Sequence, residues 1–236
     1  MDKPLEQKLA KYFELTAKAL KKVKIVEKHR KEAEDFLEHH HFPVVKRLIV
    51  RNHAELEASA DKIGFPLVLK NPSFLHKTEK KGVYLNVTKE NLGKTYSLIK
   101  AKHILIQKQL YGVELLLGIK KDDVFGHALV CGLGGILTEL INDISFRICP
   151  LKENDIHSML HELKVYPILN GFRNKKYNQK KVISIIKKLS MLPQQHPEIQ
   201  ELDINPLIVD EKNATIVDAR ITMNKKSACT SRCRKT

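Results

Sequence analysis

A histidine shortly after an apolar segment is the residue of this sequence whose type and position most suggest chemistry. His76 follows residues 66–70, a predicted strand that ends at Lys70. Imidazole is available as a neutral nucleophile near pH 7 and can carry a covalent phosphoryl group. Lys70 would bring a positive charge to phosphates. The two residues indicate phosphoryl transfer, and an ordinary loop histidine is the open alternative, because most histidines do no chemistry.

A second run, far downstream, places oxygen-bearing side chains at alternate positions. Residues 210–213 are rich in turn formers, and a hairpin centred there sets Asn205 directly opposite Asp218. Strand alternation puts Glu201 and Asp203 on the face of Asn205. Such oxygens suit a Mg²⁺ ion that is held mainly by nucleotide phosphates. A hairpin with one solvated face explains the alternation equally well, since a slip of one residue would destroy the pairing.

A glycine cluster follows a predicted strand at Gly132-Leu133-Gly134-Gly135. Glycines permit close backbone approach and anion contact through amide N–H groups. The pattern is neither GxGxxG nor a Walker loop. A tight turn therefore explains the cluster as well as an anion site does.

The charge of the chain is strongly positive, with 42 Lys and Arg against 27 Asp and Glu and a net charge of +15. This suits either a nucleic-acid surface or a lysine-rich solvated surface that steers anionic ligands. Nucleic acid is the less favoured partner, because the chain has no Trp, six Tyr and eight Phe to serve as stacking platforms. Apolar stretches are too short to span a bilayer, and residues 1–6 lack a signal-peptide layout. We expect a cytoplasmic protein.

Metal-binding residue types occur elsewhere without a convincing pattern. The four cysteines form no CxxC pair, so a zinc site is not expected; they are Cys131, Cys149, Cys229 and Cys233. The triplet His39-His40-His41 ends a predicted helix. Because consecutive helical residues point in different directions, we interpret the triplet as a solvated helix terminus.

Periodicity predicts an α/β protein. Residues 5–41 are expected to be largely helical, and further helices are expected at residues 53–63, 90–101, 153–163 and 179–192. Asn52 and Gly64 bracket the helix at residues 53–63 as its caps. Short apolar strands lie between these helices, beginning with a strand–helix–strand unit at residues 44–70.

The order of several motifs makes the chain similar to a known family. The motifs are Gly64-Phe65-Pro66-Leu67-Val68-Leu69-Lys70, Leu75-His76-Lys77-Thr78, Gly112-Val113-Glu114, Phe125-Gly126, Gly132-Leu133-Gly134-Gly135-Ile136, Ser145-Phe146-Arg147, Glu201-Leu202-Asp203-Ile204-Asn205-Pro206-Leu207 and Val217-Asp218-Ala219-Arg220. Over residues 31–221 the chain resembles the ATP-grasp, or beta, subunit of ADP-forming acyl-CoA synthetases such as acetate–CoA ligase. It is more distantly similar to the nucleotide-binding part of succinyl-CoA synthetase beta chains.

The resemblance implies a role for each matching residue. His76 matches the histidine that is transiently phosphorylated, and Asp203 matches the acid that supports it. Asn205 and Asp218 match the magnesium ligands. The nucleotide-binding positions are Lys70, Gln107, Glu114, Gly134 and Gly135.

The resemblance also implies a fold, a reaction and a partner. The fold is an α/β ATP-grasp fold whose two lobes hold ATP or ADP with Mg²⁺ between them. The reaction converts acyl-CoA, ADP and phosphate into carboxylic acid, CoA and ATP, reversibly, and it needs a CoA-binding alpha subunit in a hetero-oligomer. We divide the chain into an N-terminal helical segment (1–41), lobe 1 with the phosphohistidine segment (42–104), lobe 2 (105–222) and a basic disordered tail (223–236).

Three positions depart from the family pattern and keep alternatives open. Lys108 follows Gln107 where glutamate is common, Lys81 replaces a glycine, and His127 stands where proline is common. One alternative is another ATP-grasp carboxylate ligase that uses no phosphohistidine. The other is a non-catalytic basic module, which would bind nucleic acid.

Overall fold

Two antiparallel β-sheets with helices packed against them form the described part of the chain. The computed structural model describes residues 25–28, 30–72, 82–135, 143–172 and 175–224. The strands are β1 (Ile25–Lys28), β2 (Arg47–Val50), β3 (Leu67–Lys70), β4 (Val83–Val87), β5 (Ile104–Lys108), β6 (Val113–Asp122), β7 (Gly126–Leu133), β8 (Ile144–Ile148), β9 (Ile199–Val209), β10 (Ala214–Ile216) and β11 (Ala219–Asn224). The helices are α1 (Arg30–His39), α2 (His53–Ile63), α3 (Leu92–Leu98), α4 (Glu153–His161), α5 (Tyr166–Leu169) and α6 (Gln179–Gln195). The predicted α/β class is confirmed.

The larger sheet has the order β1-β11-β9-β6-β7-β8, with β10 beside β9. Strand β9 lies between β6 and β11 and alternates as its sequence predicts: Leu202 and Ile204 are buried, while Glu201 is exposed. Residues of α1, α4, α5 and α6 join the apolar core of this sheet. Strand β9 therefore turns one face to the core and leaves its polar side chains on the other.

The smaller sheet has the order β2-β5-β3-β4 and packs against α2. Helix α2 spans the predicted residues: the Asn52 side chain accepts a hydrogen bond from the Glu55 N–H at 2.9 Å, and Gly64, with φ 86°, ends the helix. Strands β2 and β3 each pair antiparallel with β5, which lies between them. The predicted strand–helix–strand unit is present, but a strand from later in the chain separates its two strands.

The predicted boundaries need correction at three places. Strand β5 belongs to the smaller sheet, so the larger lobe begins after residue 108 and not at residue 105. Residues 25–28 are a strand paired with β11, not a helix, because β-branched Ile25 and Val26 extend the edge of that sheet. Strand β11 continues to Asn224, past the expected start of the tail. The rest of the predicted helical segment, residues 1–24, and the tail from residue 225 lie outside the described residues.

Two of the four cysteines lie in the described residues. Cys131 and Cys149 are free thiols, and burial raises the pKa of each to about 12. Both thiols therefore stay neutral near pH 7 and are poor metal ligands. No helix in the described parts of the chain is long and apolar enough to cross a membrane.

An ion cluster built around a buried Arg47–Glu34 pair links α1, which packs on the larger sheet, to the first strand of the smaller one. Arg47 Nε lies 2.7 Å from Glu34 Oε2, and the Arg47 Nη2 lies 2.6 Å from Asp35 Oδ1 and 3.2 Å from Glu38 Oε2. The Glu34 side chain is fully buried and that of Arg47 is 6% exposed. Since a buried carboxylate needs a compensating cation, Arg47 stabilises the contact between β2 and α1.

We expect Arg47→Met to lower the free energy of unfolding by about 3 kcal/mol, because it removes the buried cation that lies against the Glu34 carboxylate. Urea denaturation at pH 7 measures the change. Arg51→Met, at an exposed arginine of the same segment, is the matched control and should stay within about 0.5 kcal/mol of the original chain. Equal effects of the two substitutions would contradict the role given to Arg47.

Candidate functional site

The hairpin formed by β9, β10 and β11 has the register that the sequence predicts. Ala214 pairs with Val209, and Ala219 pairs with Ile204. Between these pairs, the Asn205 N–H donates to the Asp218 carbonyl at 3.1 Å. Asn205 therefore lies opposite Asp218, as expected.

Asn205 and Asp218 bring an amide oxygen and a carboxylate to one place. Asp218 is 6% exposed, and the Asn205 Oδ1 accepts a hydrogen bond from the Gly135 N–H at 3.0 Å. Among the described residues, no group of three or more His, Cys, Asp or Glu side chains is arranged to hold a metal ion. Two oxygen ligands, one on β9 and one in the link between β10 and β11, suit a hard cation such as Mg²⁺, whose other ligands come from phosphates and water.

The smaller sheet contributes two buried polar side chains beside Asp218. Lys70 Nζ donates to the Val217 carbonyl at 2.8 Å, and Gln107 Nε2 donates to the same oxygen at 3.3 Å. Lys70 is 6% exposed and Gln107 is 2% exposed. The ammonium group of Lys70 carries a full positive charge and only donates hydrogen bonds, a chemistry that suits phosphate oxygens.

The glycine cluster packs tightly against the strand that carries Glu114. A Cβ added at Gly134 would lie 2.6 Å from the Leu115 carbonyl carbon, and one at Gly135, where φ is 73°, would collide with the Glu114 carboxylate. The Gly134 N–H donates to the Glu114 carbonyl at 2.8 Å, and the Gly135 N–H donates to Asn205. Both amides thus have protein acceptors, which favours the tight-turn interpretation. Nucleotide contact by Gly134, Gly135 and Glu114 stays a prediction.

Asp203 lies on the polar face of the hairpin together with a residue that the sequence argument left out of the site. Arg220 pairs with Asp203 across β9 and β11. In the described part of the chain, the Nε and Nη2 atoms of Arg220 are buried without a hydrogen-bond partner. The sequence could have indicated Arg220 as a site residue, because it lies two positions after Asp218 and alternate residues of a strand share a face. Arg220 therefore adds a second cation to the candidate site.

His76 lies outside the described residues, as does Lys81, but the two ends of their segment are defined. Lys70 pairs with Val83, and the Asn71 N–H donates to the Gly82 carbonyl at 2.9 Å. The segment that carries His76 therefore leaves and rejoins the sheet next to Lys70.

Two departures from the family pattern have structural explanations. Lys108, at a position where the family resemblance predicts glutamate, donates from its Nζ to the Gly64 carbonyl at 3.1 Å and to the Phe65 carbonyl. The His127 Nε2 lies 2.8 Å from the Ile199 carbonyl, and burial lowers the pKa of its imidazole. Both side chains satisfy backbone carbonyls of neighbouring segments, an arrangement that the sequence alone does not reveal.

The chain is similar to known proteins in both sequence and structure. A model of the ATP-grasp domain matches residues 21–223. The beta subunit of acetate–CoA ligase (ADP-forming) I from Pyrococcus furiosus is 35% identical, over 81% of this chain and 90% of that subunit. Acetate–CoA ligase (ADP-forming) I from Archaeoglobus fulgidus is 35% identical over 75% of this chain, which spans only 28% of that relative.

A solved structure resembles the chain over most of its length. It is the dinucleotide-forming acetyl-coenzyme A synthetase 1 of Ca. Korarchaeum cryptofilum in complex with coenzyme A and Mg-AMPPCP, with its phosphohistidine segment pointing towards the nucleotide binding site. The TM-score is 0.73 at 34% sequence identity, covering 89% of this chain and 97% of that one. Both the sequence and the two-lobed architecture therefore have close counterparts.

We expect Gly134→Ala to lower the free energy of unfolding by about 1–3 kcal/mol, because the new Cβ would meet the rigid backbone of β6 at Leu115. Gly118→Ala is the matched control in the same sheet, since its Cβ would meet the Leu202 carbonyl oxygen at an ordinary 3.5 Å. Thermal or urea unfolding compares the two. A Gly134→Ala chain as stable as the control would show that close approach is not what this position requires.

Proposed function

We propose that this chain, which belongs to the ATP-grasp family of ADP-forming acetate–CoA ligase beta subunits, is the nucleotide-handling subunit of an ADP-forming acid–CoA ligase. The observation that carries the proposal is the meeting of Lys70 and Gln107 at the Val217 carbonyl, directly before the buried Asp218. A buried ammonium next to a buried carboxylate suits the phosphates and the metal of a nucleotide. ATP or ADP would bind where the two lobes meet.

Mg²⁺ fits the donor set that the hairpin presents. The Asp218 carboxylate and the Asn205 amide oxygen are hard ligands, and their small number leaves coordination positions for phosphate oxygens and water. When bound, the ion would neutralise charge on those phosphates. Asn205 is held for this task by the Gly135 N–H, which restrains its side chain.

His76 would carry the phosphoryl group between the partner and the nucleotide. In the direction of ATP synthesis, a β-phosphate oxygen of ADP attacks the phosphorus of phospho-His76, the new P–O bond forms and the P–N bond breaks. The bonding electrons return to the ring nitrogen. If the other ring nitrogen carries a proton that Asp203 accepts as a hydrogen bond, the leaving group is neutral imidazole and not the poorer imidazolate.

The cations around this position have separable tasks. Lys70, held at the hairpin by its bond to Val217, would bring its ammonium charge to the phosphate oxygens. Arg220, opposite Asp203 in the pairing register, would add charge near the transferred group. Fixed cations stabilise the negative oxygens during transfer without reorganising when the phosphoryl group moves.

A CoA-binding alpha subunit is the partner that this function needs. The Pyrococcus furiosus relative is itself a beta subunit, and the Archaeoglobus fulgidus relative is a much longer chain that this one only partly spans. We propose that the acyl phosphate forms on the partner and that acyl specificity resides there. The similarity to ADP-forming ligases supports this function over a ligase without phosphohistidine and over a nucleic-acid module.

We expect a phosphohistidine on this chain when it is incubated with γ-³²P-ATP, Mg²⁺ and the alpha partner. The label should be acid-labile and base-stable, and His76→Asn should abolish it while nucleotide affinity is retained. His157→Asn, at an exposed histidine of α4, is the control and should label normally. Ligase turnover that survives in His76→Asn would favour a ligase without phosphohistidine, and salt-sensitive polynucleotide binding without nucleotide affinity would favour a basic binding module.

We expect Asp218→Asn to weaken Mg–ADP binding about tenfold or more, which is ~1.4 kcal/mol, because the site loses its charged ligand. Isothermal titration calorimetry with ADP at saturating Mg²⁺ measures this. Glu211→Gln removes the same charge from the exposed turn of the same hairpin and should change the affinity little. Identical affinities in the two variants would exclude Asp218 as a metal ligand.

A further inference from the structure

A histidine pair that the proposed reaction does not use lies where the C-terminal ends of α1 and α6 meet. His40 Nε2 is 2.8 Å from His196 Nε2, although 156 residues separate the two in sequence. Their rings are nearly perpendicular, at 84° with centroids 4.7 Å apart, and the Phe36 ring contacts both. The expectation of a solvated terminus holds for His39 and His41, which are exposed, and is wrong for His40, which is half-buried.

Each ring of the pair is oriented by an acceptor at its other nitrogen. His40 Nδ1 lies 2.8 Å from the Phe36 carbonyl, and His196 Nδ1 lies 3.1 Å from Glu198 Oε1. A carbonyl and a carboxylate only accept hydrogen bonds, so the proton of each neutral ring belongs on Nδ1. The two Nε2 atoms then face each other with lone pairs. At this separation the lone pairs repel unless a cation lies between them.

The backbone around the pair also favours positive charge. The His40 N–H donates to the Phe36 carbonyl at the end of α1, and the His196 N–H donates to the Leu192 carbonyl at the end of α6. Each helix C-terminus carries a partial charge of about −0.5. His40 and His196 are each the first residue after such an end.

We propose that His40 and His196 form a binding site for a divalent transition-metal ion, with Cu²⁺ and Ni²⁺ favoured. With metal–nitrogen distances of about 2.0 Å, a separation of 2.8 Å corresponds to an angle of about 90° at the metal. This is the angle between adjacent ligands in square-planar and octahedral sites, the geometries of Cu²⁺ and Ni²⁺. Phe36 and Glu198 hold the rings as partners of ligating histidines usually do. With no cluster of three metal-ligating side chains in the described residues, water completes the coordination.

The test is calorimetric titration of the full chain, free of any affinity tag, with NiCl₂ in excess Mg²⁺. We expect one Ni²⁺ per chain, undisturbed by Mg²⁺, which prefers oxygen ligands. His196→Ala should weaken binding by more than tenfold. The double variant His39→Ala/His41→Ala is the matched control and should bind Ni²⁺ as the original chain does. If residues 39–41 alone formed the site, this double variant would lose Ni²⁺ binding and His196→Ala would keep it.

A second variant and a second measurement keep the result interpretable if His196→Ala folds poorly. Glu198→Gln leaves both ligands in place and should weaken Ni²⁺ binding about tenfold, since the His196 ring loses its charged acceptor. Ni²⁺ should raise the Tm of the original chain and not that of His196→Ala, and circular dichroism checks that each variant is folded. Equal Ni²⁺ affinity in the original chain and His196→Ala would overturn the proposal and leave a shared proton as the cation between the rings.

Discussion

The carbonyl oxygen of Val217 is the acceptor on which the arrangement of the candidate site depends. It receives hydrogen bonds from Lys70 Nζ and Gln107 Nε2, two buried donors of the smaller sheet, while Val217 itself connects β10 to β11 in the larger one. A buried ammonium without an acceptor would be costly, so this bond stabilises Lys70 at the hairpin. The same bond places the positive charge of Lys70 beside Asp218, the residue that follows Val217 in sequence.

Close backbone packing supplies the second constraint. Because Gly134 has no Cβ, the turn after β7 approaches the backbone of β6 at Leu115. That approach brings the Gly135 N–H to the Asn205 side chain, which the hairpin register has already set opposite Asp218. The glycines thus act through geometry, by letting the larger sheet orient one of the two oxygen donors.

Lys108 and His127, two residues that depart from the expected family pattern, form hydrogen bonds away from this site. Lys108 bonds to the Gly64 and Phe65 carbonyls, and His127 bonds to the Ile199 carbonyl. Each side chain satisfies a backbone acceptor of a neighbouring segment. Their bonds therefore lie away from the Val217 carbonyl, which Lys70 and Gln107 contact.

Local side-chain periodicity and turn chemistry determined what the sequence predicted well: helix α2 between Asn52 and Gly64, the alternation of β9, and the register that sets Asn205 against Asp218. Tertiary structure decided which sheet β5 joins and that residues 25–28 form an edge strand. It also decided that Lys70 meets Val217 and that His40 meets His196. These contacts join segments about 150 residues apart, so packing between lobes and helices sets them, and no pattern within a single element encodes the partner.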